Sequence, residues 1–132
     1  MTPESSNTHC LFCNLPEDVK VVDENDLAVA FYDKFPVTRY HTLIIPRRHV
    51  ADYFELNEGE IGAIHALLQR RKERLEELDD TITGFNVGVN IGRDAGQTIF
   101  HVHVHLIPRR GGDMPDPKGG VRGVIPEKQK YG

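Results

Sequence analysis

The sequence predicts an α+β fold, an antiparallel β-sheet covered by one long helix and a short one. Three features carry that prediction. Short apolar runs are bounded by turn residues, one long stretch repeats apolar residues at three/four spacing, and the order along the chain is strands, helix, strands. With 132 residues, the chain is long enough to bury a core without disulfides, and one domain over 1–132 is expected.

The elements follow in order. "VKVVDEN" (19–25) reads as a strand running into an Asp/Glu/Asn turn, and "LAVAFYDKFP" (27–36) as a strand ending in a turn at Pro36. "YHTLIIP" (40–46) is a third strand, stopped by Pro46, whose ring removes a ladder donor. Between Asn57 and Leu78 the helix is clear. Asn57 can cap it with Glu60 three residues on, and Ile61, Ile64, Leu68, Leu75 and Leu78 mark its apolar stripe. His65, beside that stripe, reads as structural or solvent-facing. "TGFNVGVNIG" (83–92) is strand-like despite its glycines, and the loop "GRDAGQT" leads from it into "FHVHVHLIP" (100–108). Beyond Pro108, glycines and prolines predict an irregular arm over 109–132, and residues 1–9 read as a tail.

Composition narrows the function classes. The net charge of −4 argues against bulk attraction to nucleic acid, so no nucleic-acid partner is expected. No apolar run approaches a membrane span, and the N-terminus has neither a basic nor an apolar signal-peptide region. With only two cysteines, the reading is a cytoplasmic protein without a disulfide framework. Charge is uneven: from Pro108 onward six basic residues face three acidic ones. A basic arm of that kind suits a phosphorylated substrate.

The segment 100–108 is the most informative. Side chains alternate along a strand, so His101, His103 and His105 share one face while Val102, Val104 and Leu106 take the core face. Three imidazoles in that pattern are compatible with an incidental half-exposed strand, with a catalytic zinc site, or with nucleophilic catalysis at phosphorus. The preceding "AGQT" helps to choose. Gly96 permits close backbone approach to a ligand, and Gln97 and Thr98 add side-chain hydrogen bonds, which is a way to cradle phosphate without carboxylates. Phosphoryl chemistry is favoured. "CLFC" (10–13) has the spacing of one edge of a zinc tetrahedron. A thioredoxin-like redox pair would follow a strand and open a helix, and nothing of that kind precedes Cys10.

"GQTIFHVHVHLIP" resembles the signature of the histidine triad (HIT) superfamily. "AFYDKFPVTRYHTLIIPRRH" and "VNIGRDAGQT" extend the likeness over roughly residues 10–110. The resemblance implies the HIT fold as a homodimer and hydrolysis of a purine nucleotide conjugate, most like a dinucleoside polyphosphate. It implies His103 as nucleophile, with His105 and His41 beside the phosphate. Asp33 is implied at the ribose, Asn90 near the phosphate, and Gly96, Gln97 and Thr98 as the phosphate loop. The ring nitrogen of His103 that does not attack is expected to be held by a carbonyl of a neighbouring strand. The resemblance also implies a structural zinc on Cys10, Cys13, His49 and His101, and no organic cofactor. Four protein ligands would leave no open position on such a metal. Two other readings accompany this one: a nucleoside phosphoramidase of the same superfamily, and a nucleotide-binding interaction module with little chemistry. The uridylyltransferase branch fits less well, since Val102 stands where that branch resembles His-Pro-His.

Overall fold

The computed structural model describes residues 9–132, and the tail expected at 1–9 lies almost wholly outside the described residues. Five strands form one sheet: β1 (Val21–Glu24), β2 (Ala28–Tyr32), β3 (Thr42–Pro46), β4 (Ile82–Val89) and β5 (Val104–Arg110). Their order is β1-β2-β3-β5-β4, and every neighbouring pair is antiparallel. The long helix, α1 (Glu58–Leu78), lies between β3 and β4 in sequence. The short helical element is a single 3-10 turn at Tyr53–Glu55, capped where Asp52 accepts from the Phe54 amide. This is the α+β architecture the sequence predicts.

The turn between β1 and β2 is built by Asn25, whose side-chain oxygen accepts from the amides of Leu27 and Ala28. Strand β2 stops at Tyr32, short of Pro36, because Asp33 caps the next turn by accepting from the Phe35 amide. At the start of α1 the expected capping box forms, Asn57 accepting from the Glu60 amide at 2.8 Å and Glu60 from the Asn57 amide at 3.0 Å.

The buried stripe of α1 differs from the expected one. It runs Glu60, Ile64, Leu67, Arg71, Leu75, whereas Ile61 and Leu78 are exposed. Two charged residues mask this register in the sequence. Glu60 is neutralised by a two-point contact with Arg48, at 2.9 and 2.8 Å. Arg71 reaches the Val22 carbonyl and the Tyr32 hydroxyl instead of a carboxylate. His65 is exposed on the same helix, as expected.

Alternation divides the sheet into two faces. Ala28, Ala30, Ile44, Val102 and Val104 pack with Ile64 and Leu67 beneath the helix. On the opposite face Phe31, Leu43 and Ile45 pack with Phe12, and residues 10–19 cover them. His105 pairs with Leu43 across β3 and β5, which puts it on this second face.

The histidine segment is only partly in the ladder. β5 begins at Val104, so His101 and His103 lie in the segment that leads into it, tied at Val102 by its amide donating to the Val50 carbonyl at 2.7 Å. The strand also runs past Pro108 to Arg110. The arm beyond it carries two short 3-10 segments, Gly120–Val124 and Pro126–Lys128, where the sequence suggests irregular chain.

Candidate active site and metal centre

Two histidine clusters share the second face, one on each side of His103. In the first, the described residues Cys10, Cys13, His49 and His101 bring their ligand atoms within 4.8 Å of one another. His101 Nδ1 lies 3.5 Å from Cys10 Sγ and 3.4 Å from Cys13 Sγ, and His49 Nδ1 lies 3.2 Å from Cys13 Sγ. Zn–S and Zn–N bonds of about 2.3 and 2.0 Å at tetrahedral angles give S···N edges of about 3.5 Å. The four residues fit such an ion.

The orientation of His101 fits as well. Its Nε2 donates to the Pro46 carbonyl at 2.7 Å, which leaves the Nδ1 lone pair facing the two sulfurs. Burial, with the neighbouring Cys10 adding to it, pushes the Cys13 thiol up to about 11. A cation at the centre of the cluster is the group that would draw it into the thiolate form. Burial also lowers the pKa of His101 and so keeps it neutral, as a ligand must be.

His103 stands between the clusters. Its Nδ1 donates to the carbonyl of His101 at 3.0 Å, so Nε2 carries the lone pair. The restraining carbonyl comes from its own segment, two residues back, rather than from a neighbouring strand. Phe12 meets the His103 ring edge-on at a centroid distance of 5.0 Å. This residue between the two cysteines escaped the sequence reading, although its apolar character inside "CLFC" was the available signal.

The second cluster is a directed chain of hydrogen bonds. The Val37 amide donates to His41 Nδ1 at 3.0 Å, which leaves the His41 proton on Nε2. That nitrogen donates to His105 Nδ1 at 2.9 Å, so the His105 proton sits on its own Nε2. His105 Nε2 is buried and has no hydrogen-bond partner among the described residues. An unpaired buried donor is costly, and one aimed into a cleft is a binding group for an acceptor. Burial, reinforced by His103 and His41 and opposed by Asp33, takes the His105 pKa down to about 4. Burial lowers His41 too, against the pull of Asp33, whose carboxylate lies 3.5 Å from His41 Nε2. His41 therefore stands behind His105, with both ring nitrogens spent, instead of facing a phosphate itself.

A cleft of about 290 Å³ opens over these groups, lined by Phe12, Phe31, Asp33, Thr98, His103 and His105 among others. Asn90 and Gly96 line it too. Gly96 adopts φ 96°, a left-handed conformation that glycine takes without strain. Gln97 departs from expectation. Its side chain is buried, its Oε1 accepts from the Gly92 amide at 2.9 Å, and its Nε2 donates to the carbonyls of Ala51 at 2.8 Å and Ile99 at 3.1 Å. The amide is spent on the backbone of its surroundings, so Gln97 shapes the loop beside the cleft. Thr98, next to it, is exposed on the cleft.

The HIT domain profile matches residues 15–112. The chain is 34% identical over 124 residues to an uncharacterized HIT-like protein of Saccharolobus solfataricus, covering 92% of this chain and 86% of that one. It is 31% identical over 105 residues to the asymmetrical bis(5′-nucleosyl)-tetraphosphatase of Schizosaccharomyces pombe, covering 80% of this chain and 57% of that one. Among solved structures, a zinc-bound histidine triad family protein from Mycobacterium smegmatis superposes with TM-score 0.72 at 32% identity, over 82% of this chain and 84% of that one. Profile, relatives and the paired histidine clusters agree, and the chain belongs to the HIT domain family.

Proposed function

We propose that this chain hydrolyses a purine nucleotide conjugate through a covalent intermediate on His103. The observation that carries the reading is the opposite polarity of two adjacent imidazoles. His103 offers a lone pair at Nε2, and His105, with its ring centroid 5.3 Å away, offers an N–H at its own Nε2. One is a nucleophile and the other a donor to the phosphoryl oxygens or the leaving group.

The cleft suits a nucleoside. Phe12, Phe31 and Leu43 give apolar walls for a base. Each Asp33 oxygen keeps acceptor capacity for a ribose hydroxyl beside its existing contacts. In the first step His103 Nε2 bonds to phosphorus and the bond to the leaving group breaks. The electron pair stays with the leaving group, which takes up a proton. In the second step water attacks phosphorus, the P–N bond breaks, and a proton is released, so the enzyme returns to its starting state. His105, near neutral pH, is uncharged in the free protein, and an anionic phosphate against its Nε2 opposes that effect of burial.

The S. pombe relative supports a dinucleoside polyphosphate as the conjugate. A specific observation favours the second reading, a phosphoramidate: three of the arm's six cations are held in ion pairs with carboxylates that do not line the cleft. Arg109 holds Asp113 and Asn86, Arg110 holds Asp79, and Lys130 holds Asp116. Within the same proposal, Cys10, Cys13, His49 and His101 bind a structural zinc that supplies no chemistry at phosphorus, a role for which the zinc-bound relative gives support. A cytoplasmic homodimer of one-domain subunits completes it.

The test is His103→Asn. Nucleotide binding should survive while turnover falls by about three orders of magnitude or more. Rapid quenching of the wild-type reaction should trap one nucleotide on His103. A variant that turns over its best substrate at near wild-type rate would sink the covalent mechanism.

A further inference from the structure

The loop 33–41 joins β2 to β3 and carries both Asp33 and His41, and its neck is closed by the Asp33 amide donating to the His41 carbonyl at 2.9 Å. Immediately before His41, Tyr40 has φ 74° and is the one non-glycine residue with a left-handed backbone among the described residues. A bulky side chain rarely takes that conformation, and the strain persists only where the surroundings hold it.

Here the surroundings hold it from both ends. The Arg39 carbonyl, just before Tyr40, accepts from Arg110 Nη2 at 3.2 Å, and Arg110 is itself paired with Asp79. The Tyr40 carbonyl accepts from the hydroxyl of buried Thr42 at 2.8 Å. The ring is gripped as well. It packs against the Tyr32 ring with centroids 5.7 Å apart, and the Arg39 guanidinium lies over it at 4.8 Å. Tyr32 is tied in turn to α1, where buried Arg71 donates to its hydroxyl at 3.3 Å. Both tyrosines pack on the core cluster of Leu75, Ile82 and Leu106, and Tyr40 does not line the cleft.

The backbone at position 40 sets the direction in which the chain enters His41. That imidazole must meet two partners at once, the Val37 amide at Nδ1 and His105 Nδ1 from its own Nε2. Rotation at position 40 would swing the ring off both lines, and His105 would lose the donor that fixes its proton on Nε2.

We infer that Tyr40 is a positioning residue, whose gripped ring holds a left-handed backbone that aims His41 at His105. Its effect on turnover rests on the His103 reading and deepens it, whereas its effect on the two imidazoles is independent of that reading.

The experiment separates ring from backbone with three variants. Tyr40→Phe keeps the ring that makes the contacts. Tyr40→Ala removes the ring and keeps the Cβ that strains the backbone. Tyr40→Gly removes the ring and the strain together. On adenosine phosphoramidate, Tyr40→Ala should lower kcat by about tenfold with KM little changed, since small misplacements of a reacting group are costly. Tyr40→Phe should match the wild type, and Tyr40→Gly should recover to within about threefold of it. Proton–nitrogen correlation spectra of the histidine rings in the free protein supply a readout that lost packing alone would not move. His41 and His105 should each show one Nε2-protonated form in the wild type, Tyr40→Phe and Tyr40→Gly, and His105 a mixture of forms in Tyr40→Ala. Circular dichroism checks each fold, and Tyr40→Leu, which keeps bulk and the Cβ without the aromatic contacts, carries the alanine expectation if Tyr40→Ala does not fold. Equal losses of kcat in Tyr40→Ala and Tyr40→Gly, or an alanine variant with wild-type kcat and unchanged ring spectra, overturn the inference. If His103 still accumulates nucleotide in that case, only the role of Tyr40 fails. If the wild type cleaves no phosphoramidate and forms no adduct, the covalent reading fails, and the ring spectra still decide whether Tyr40 aims His41.

Discussion

Replacing Gln97 with alanine separates two roles for the residue before Thr98. In the structure the Gln97 amide makes three hydrogen bonds, to the Gly92 amide and to the carbonyls of Ala51 and Ile99. Removal leaves three backbone groups without partners. At about 1 kcal/mol per hydrogen bond the sum is about 3 kcal/mol. Water can take over at Gly92, which is exposed, and more poorly at Ala51 and Ile99, which are half-buried. The net loss is then about 2 kcal/mol. For a domain of this size 1 kcal/mol shifts Tm by about 4 °C, so Tm should drop by about 8 °C. The assay is thermal unfolding followed by circular dichroism, with KM measured on adenosine phosphoramidate well below the new Tm. Hydrogen exchange should show lost protection at the Gly92 amide. An unchanged Tm with a large rise in KM would refute the structural role and return Gln97 to the phosphate.

The metal centre predicts about one zinc per chain by elemental analysis of protein purified without added metal. Cys10→Ser/Cys13→Ser should remove it and lower Tm, because metal binding is coupled to folding; metal retained by that variant would place the site elsewhere. His41→Asn should act through His105. Turnover should fall by about 10²-fold while nucleotide affinity changes little, and an equal loss of affinity would show that His41 touches the substrate directly. Acid should destabilise the protein through His105. A histidine whose pKa drops from 6.5 unfolded to about 4 folded contributes stability that is complete above pH 6.5. That stability, at most about 3 kcal/mol, is lost as pH falls from 6.5 toward 4. His105→Leu should flatten this part of the profile, and an unchanged acid slope in urea titrations would contradict it.

Much of the candidate site was legible because it depends on local periodicity. An alternation of two predicts His101, His103 and His105 on one side and Val102, Val104 and Leu106 in the core, and these three apolar residues are buried although the ladder itself begins only at Val104. The Asn57/Glu60 capping box and the left-handed Gly96 are equally local, since each depends on a few adjacent residues. The paired cysteines likewise set one edge of the ligand cluster.

Tertiary structure decided which atoms of those residues are free to act. Partners distant in sequence set the direction of each imidazole: the Pro46 carbonyl holds His101, and His41 holds His105 across 64 positions. Whether Gln97 faces a phosphate or the Ala51 carbonyl depends on a contact 46 residues away. The helix register was hidden for a related reason, because Glu60 and Arg71 look solvent-facing until Arg48, Val22 and Tyr32 supply their partners. The basic arm shows the largest gap: its composition reads as a phosphate-binding surface, yet folding sets five of its six cations against Asp79, Asp113, Asp116 and Tyr131. Composition counts charges, but a charge acts on a ligand only where no nearer partner has taken it, and that is settled when the chain folds.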